Sequence, residues 1–133
     1  MSFVLDASAT MAWCFEDEAR PETDRLLRSL ESESAVVPAL WRWEVVNVVL
    51  VAERKRRMTE AQGDRFLTLL SELPIEIDTS ATLVGVLHTG RRHGLSAYDA
   101  AYLELAGRVG LGLATLDAKL ADAARDAGIP LRL

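Results

Sequence analysis

Hydrophobic positions along this chain switch between short continuous apolar runs and longer stretches with helical spacing. Phe3-Val4-Leu5 is an apolar run that ends on Asp6 and passes at once through Ala7-Ser8 into a helical pattern. So short a run, followed directly by a helix, reads as a central strand of a parallel sheet that delivers a carboxylate at its C-terminal end. The helical run over residues 7–14 is broken by Glu16-Asp17-Glu18, a solvated connection. Pro21 falls in the first turn of a second helix reaching about Leu30, with Leu26, Leu27 and Leu30 at inward spacing. Ala35-Val36-Val37 is a second strand, ended by Pro38.

The longest helical stretch, 41–57, closes in Arg54-Lys55-Arg56-Arg57, where cations suit the negative end of the helix dipole. Thr59 caps a helix through Leu70, and Pro74 starts a strand over 75–77. Asp78 or Thr79 caps a helix to about Arg92, closed by His93-Gly94. Ser96 opens a helix over 97–107, and Gly110 and Gly112 bracket the turn into Leu113-Ala114. Asp117 starts a last helix to Ala127, which Gly128 ends before a terminal strand at Pro130-Leu131. Strands alternating with single and paired helices predict an α/β fold: a single three-layer α/β/α domain over residues 1–133 with a central parallel sheet.

Composition narrows the setting. At 133 residues and 50% hydrophobic, the chain can bury a core without covalent staples. No stretch approaches the roughly 18 apolar residues of a membrane span, and Asp6 interrupts any secretory leader, so a cytoplasmic protein with no membrane association is expected. A lone cysteine, Cys14, excludes an internal disulfide framework and a cysteine-built zinc site, and reads as a small buried residue on the first helix. The net charge of -5 argues against indiscriminate nucleic-acid binding, although two bound divalent cations would offset most of it.

Candidate chemistry rests on four acids: Asp6, Glu44, Asp99 and Asp117. The three aspartates stand where helices begin, so capping is the plain alternative, and Ser96 to Asp99 has capping-box spacing. Glu44 is different. It lies inside a helix with Leu40, Trp41, Asn47 and Val48 as its neighbours three and four residues away, and a carboxylate on such a face is costly unless paired or coordinated. Its ordinary readings are a salt bridge to a distant arginine or a helix edge turned to water. Asp99 begins a helix that is apolar nearly all round, with Glu104 off that face and solvated. Four converging carboxylates repel unless a cation neutralises them, and oxygen-only ligands select Mg²⁺ or Mn²⁺ over Zn²⁺. The chemistry that suits such a site is phosphodiester hydrolysis by a Mg-activated water. Neither His88 nor His93 has a partner at ligand spacing. Trp41 and Trp43 flank Glu44 from different sides, so at least one is poorly placed for the core; the functional alternative is an apolar groove for a partner's helix.

The order Val4-Leu5-Asp6-Ala7-Ser8, then Glu44, then Ser96-Ala97-Tyr98-Asp99-Ala100-Ala101-Tyr102-Leu103-Glu104-Leu105-Ala106, then Leu113-Ala114-Thr115-Leu116-Asp117 resembles the PIN-domain ribonucleases, in particular the toxin half of bacterial VapBC toxin–antitoxin pairs. The resemblance implies a PIN-like fold and a Mg²⁺- or Mn²⁺-dependent endoribonuclease acting on an RNA substrate. It also implies a homodimer silenced by a small DNA-binding antitoxin. On this resemblance Asp6, Glu44, Asp99 and Asp117 are the catalytic, metal-holding acids, and Ser8 and Thr115 supply supporting hydroxyls; Asp117 is the least uniform of the four and acts directly, through water or not at all. Two other classes remain in view. One is a non-catalytic Mg-binding, PIN-like or receiver-like interaction domain, whose phosphoacceptor would have to be Asp78. The other is a small phosphatase, to which Asp6-Ala7-Ser8-Ala9-Thr10 bears a faint likeness.

Overall fold

Phe3, Val4 and Leu5 are all fully buried, although alternate residues of a strand point to opposite faces of a sheet. Both faces of their strand are therefore covered, as a central strand of a three-layer structure requires. In the computed structural model, which describes residues 2–133, this strand is β1 (Ser2–Leu5). It is followed by α1 (Ala7–Met11), α2 (Pro21–Ser29), β2 (Ser34–Pro38), α3 (Leu40–Arg54), α4 (Glu60–Ser71), β3 (Ile75–Asp78), α5 (Leu83–His93), α6 (Ala97–Val109), β4 (Gly112–Ala114) and α7 (Ala118–Asp126).

The sheet has the order β3-β2-β1-β4, and every pairing in it is parallel. The chain leaves β1 towards β2 on one side and returns through β4 on the other, so the order reverses between β1 and β4. In open parallel sheets the crevice at such a reversal, beyond the strand C-termini, is where sites form. Here that crevice opens between Asp6, after β1, and Thr115, after β4. The inner helix is α6, which buries Ala100, Ala101, Tyr102, Leu103, Leu105 and Ala106. Its nearly all-apolar sequence makes it a core helix that packs against three of the strands.

The expected α/β architecture is the observed one, with local corrections. Helix α1 stops at Met11 rather than continuing to Cys14, and Cys14 is half-buried in the turn that follows. The Glu16–Glu18 segment is solvated as expected but is ordered as a short 3₁₀ turn, to which Arg57 pairs through Asp17 at 2.7 Å and Glu18 at 2.8 Å. The same guanidinium lies over the Phe15 ring at 3.7 Å, so one end of the basic run is consumed by a structural clasp. Helix α3 begins one residue earlier than expected and ends at Arg54.

Helix α5 starts later than expected because Thr82, not Asp78 or Thr79, caps it through Gly85 N–H at 3.0 Å. Asp78 is instead the last residue of β3, held by Arg108 at 2.6 Å. Glu104, expected in water, has a side chain only 11% exposed, because Arg108 one helical turn on binds it at 2.6 Å. Helix α6 runs to Val109 and the terminal strand reduces to a single bridge, Leu113 to Leu131. No helix among the described residues is long and apolar enough to cross a membrane.

Leu5 occupies the residue directly before Asp6 and is fully buried. Leu5→Ala should lower the unfolding free energy by about 2–5 kcal/mol, read as a shifted denaturation midpoint.

Candidate active site

Asp6 is both the N-cap of α1 and the most deeply buried acid, at 4% exposure. A carboxylate can be held there because donors surround it. Ala9 N–H donates to its Oδ1 at 2.9 Å, and Ser8 Oγ lies 2.7 Å and 2.9 Å from its two oxygens. The Thr115 hydroxyl donates to Oδ2 from the end of β4. Both hydroxyls are themselves fixed: Leu116 N–H donates to Ser8 Oγ at 2.9 Å, and Asp117 N–H donates to Thr115 Oγ1 at 3.0 Å. Asp6 N–H also donates to Ala114 O at 3.1 Å, so the ends of β1 and β4 are stitched together through backbone and side chains alike. On the other flank Trp41 Nε1 donates to Thr10 Oγ1 at 3.0 Å, and Thr10 Oγ1 donates to Asp6 O at 2.7 Å. That chain of bonds sets the start of α3 against α1.

Glu44 sits in the second turn of α3, half-buried, and accepts a hydrogen bond from the Tyr102 hydroxyl of α6. Asp99 lies in the first turn of α6, also half-buried, but it does not cap the helix. Ser96 does, accepting from Asp99 N–H at 3.2 Å. Asp117 caps α7 through Lys119 N–H at 2.9 Å and Leu120 N–H at 3.2 Å. Capping is thus real for Asp6 and Asp117 and coexists with their place in the crevice. For Glu44, none of the ion pairs among the described residues involves it, so the distant-arginine reading finds no partner.

The charges feel one another. Burial pushes the Asp6 carboxyl above the usual carboxylate range; its hydrogen bonds to Ala9, Thr115 and Ser8 pull it back in part, and the Asp117 charge raises it further. Glu44 is also raised, mainly by burial, against the Tyr102 hydrogen bond and with the charges of Asp6 and Asp99 adding to the shift. Asp99 is raised by burial and by Asp117, with Lys119 opposing. Burial and the adjacent Glu44 drive the Tyr102 hydroxyl well above its ordinary value, so it keeps its proton and remains a donor.

All four acids predicted from the sequence therefore share one electrostatic neighbourhood, and the Ser8 and Thr115 hydroxyls reach Asp6 directly. The site carries oxygen donors and excess negative charge, which fits a hard divalent cation. Among the described residues no group of three or more Asp, Glu, His or Cys side chains is placed to hold a metal ion by itself. Magnesium commonly binds through one or two carboxylates and several waters, so it does not require such a group. The sequence reading missed Tyr102. Its position three residues after Asp99, on the same face of a helix, was the available signal. Asp78, the receiver-like alternative's phosphoacceptor, is engaged by Arg108.

A carboxyl whose folded pKa lies above its unfolded one stabilises the fold at low pH and loses that contribution as pH rises. The ordinary values are 3.8 for Asp6 and Asp99 and 4.5 for Glu44, so the loss sets in above this range. Metal-free protein should therefore melt at progressively lower temperature as pH rises from that range towards neutrality. Asp6→Asn should flatten that slope and leave metal-free stability equal or higher at the upper pH, both read by thermal denaturation in EDTA.

Comparison with known proteins agrees with this fold. The PIN domain pattern matches residues 3–126. The chain is similar to Ribonuclease VapC3 of Pyrobaculum aerophilum, 29% identical over 125 residues that cover 92% of this chain and 94% of that protein. Its fold superposes on the crystal structure of PAE2754 from Pyrobaculum aerophilum with a TM-score of 0.76 at 25% identity, covering 99% of this chain and 92% of the other. It also superposes on VapBC2 from Rickettsia felis, bound to a DNA fragment from their promoter, with a TM-score of 0.70 at 12% identity over 98% and 97% of the two chains. A parallel sheet with its acids gathered at the reversal of strand order, and a family pattern spanning nearly the whole chain, lead to one conclusion: this protein belongs to the PIN domain family.

Proposed function

We propose that the protein is a Mg²⁺- or Mn²⁺-dependent endoribonuclease and the toxin of a type II toxin–antitoxin pair. The observation that carries this reading is the Asp6 carboxylate, held nearly out of water by two hydroxyls and a backbone N–H while three more acids raise the local negative charge. The similarity to Ribonuclease VapC3 supports the activity, and the shared fold with toxin–antitoxin assemblies supports the partner.

Asp6, Glu44 and Asp99 are the residues that would hold the ion, one or two of them directly and the rest through its waters, with Asp117 acting directly, through water or not at all. The bound ion supplies Lewis-acid activation of a water and neutralises charge at the scissile phosphate. The chain's own groups do the positioning. Ser8 and Thr115 fix the plane of the Asp6 carboxylate, and the Tyr102 hydroxyl holds Glu44 Oε1, leaving Oε2 without a protein donor among the described residues. Raised pKa values mean that Asp6, Glu44 and Asp99 gain from a cation that keeps them ionised. The partners in this reading are an RNA substrate, a second copy of the chain and a small DNA-binding antitoxin, all in the cytoplasm. A protein-facing surface is available on α5, where Leu83, Val84 and Leu87 are exposed and no residue is buried.

Purified protein should cleave RNA with Mg²⁺ or Mn²⁺ and stop in EDTA. Asp99→Asn and Asp6→Asn should abolish cleavage without loss of melting temperature. Ser8→Ala and Thr115→Ala should each lower activity or metal affinity by about 10- to 100-fold. Metal binding without cleavage of any RNA would sink the nuclease reading in favour of a non-catalytic domain.

A further inference from the structure

None of the chain's 20 acids falls between Asp78 and Asp99, and both of its histidines do, together with Arg91 and Arg92. His88, Arg92 and His93 of α5 line a hollow of about 380 Å³ that this helix forms with α6 and that Ile129, after α7, helps to close. Leu83 and Leu87 of the same helix line a separate groove. Cations in the last turn of α5 are favoured by the helix dipole whether or not they meet a ligand. Their presence is therefore explained without one.

Gly107, which faces the hollow from α6, has no such explanation. It lies inside a helix and is not among the glycines with positive φ. A Cβ built on it would meet only Ile129 Cδ1, at 3.9 Å. Gly90 differs: a Cβ there would meet Leu95 O at 3.2 Å, so that glycine serves the packing of α5 on α6. Neither backbone nor packing calls for glycine at 107, and glycine weakens a helix interior relative to alanine. What its missing side chain does is keep the hollow open. The cations inside are free. Among the described residues no ion pair involves Arg92, His88 or His93. The one acid in the lining, Glu104, is held by Arg108, which also holds Asp78.

We infer that the hollow between α5 and α6 is a second phosphate site, which holds a backbone phosphate of the RNA strand away from the one at the acids. This deepens the ribonuclease reading and rests on it. Four clustered acids repel the polyanion they are to cut, and a bound ion offsets that only in part, so grip on the strand comes from cations outside the crevice. The hollow is within reach of a bound strand. It runs along α6 from Leu103 to Arg108, about 6 to 14 Å of helix axis beyond Asp99. Arg92 pairs with the phosphate there and the two imidazoles donate N–H groups to its oxygens. Such contacts go to the backbone, so they position the strand without reading its sequence.

Because His88 and His93 are the chain's two histidines and both line the hollow, their imidazole proton NMR signals report on it alone. In metal-free protein kept in EDTA, inorganic phosphate and a short oligoribonucleotide should each shift both signals saturably, the oligoribonucleotide at lower concentration. Gly107→Leu, which fills the hollow, should abolish the shifts while melting at or above the parent's temperature. Arg92→Ala should weaken them. In cleavage assays with Mg²⁺ or Mn²⁺, Arg92→Ala should raise KM about 2- to 5-fold, with the loss falling on KM rather than kcat. It should also reduce the slope of log KM against log salt by about 0.7, the share of one single-strand phosphate contact. The inference is overturned if the oligoribonucleotide moves neither signal, or if folded Gly107→Leu binds it as the parent does. A shift produced by polyglutamate at the same concentration overturns it too, by assigning the hollow to an acidic protein partner. If the signals respond to the oligoribonucleotide but the parent cuts no RNA with either metal, the ribonuclease reading fails while the phosphate site stands.

Discussion

A carboxylate kept almost entirely out of water is unfavourable unless donors replace the water it has lost. In this protein the donors for Asp6 come from its own helix, through Ser8 and Ala9, and from the far end of the chain, through Thr115. The remainder of the site depends on that arrangement. Thr115 reaches Asp6 only because β4 pairs with β1 in parallel and in register, with Leu5 opposite Ala114. The hydrogen bonds hold the group in place without neutralising it: burial still dominates, and Asp6 remains harder to ionise than a free aspartate. Excess negative charge is therefore built into the fold rather than added to its surface.

The helices distribute the other acids around this anchor. Trp41 ties α3 to α1 through Thr10, which fixes the rotation of α3 and turns Glu44 towards the crevice while leaving Trp43 outside. Tyr102 then joins α3 to α6 through Glu44, so the core helix positions its own Asp99 by the same packing. Two buried aromatic side chains thus set the geometry of two polar ones. Elsewhere, Arg57 and Arg108 each bridge two carboxylates, and these ion pairs close loops and helix ends rather than serving the crevice. Charge is paired where it is structural and left unpaired at the four clustered acids.

Much of this was legible along the chain. The run Phe3-Val4-Leu5 ending on Asp6 identified the central strand, because only a strand covered on both faces is apolar without alternation. Glu44 among apolar neighbours and Asp99 at the head of an apolar helix stood out because burying a carboxylate needs a reason. The alternation of strands and helices was enough for a parallel sheet. Helix limits were less legible, since Thr82, Asp78 and Thr79 are all competent caps and sequence does not rank them; the Arg108 pairing, thirty residues away, removed Asp78 from the choice.

What the sequence determined by itself was the set of elements and the identity of the acids, because hydrophobic period and helix-start chemistry act over a few residues. The tertiary structure alone decided which hydroxyl braces which carboxylate, that Tyr102 holds Glu44, and that Trp41 is buried while Trp43 faces solvent. Those outcomes depend on strand order and helix rotation, which are settled by long-range packing between segments that carry no local trace of one another. The closeness of Asp6 and Thr115, more than a hundred residues apart, is the clearest case: it exists only because β4 chose the open side of β1.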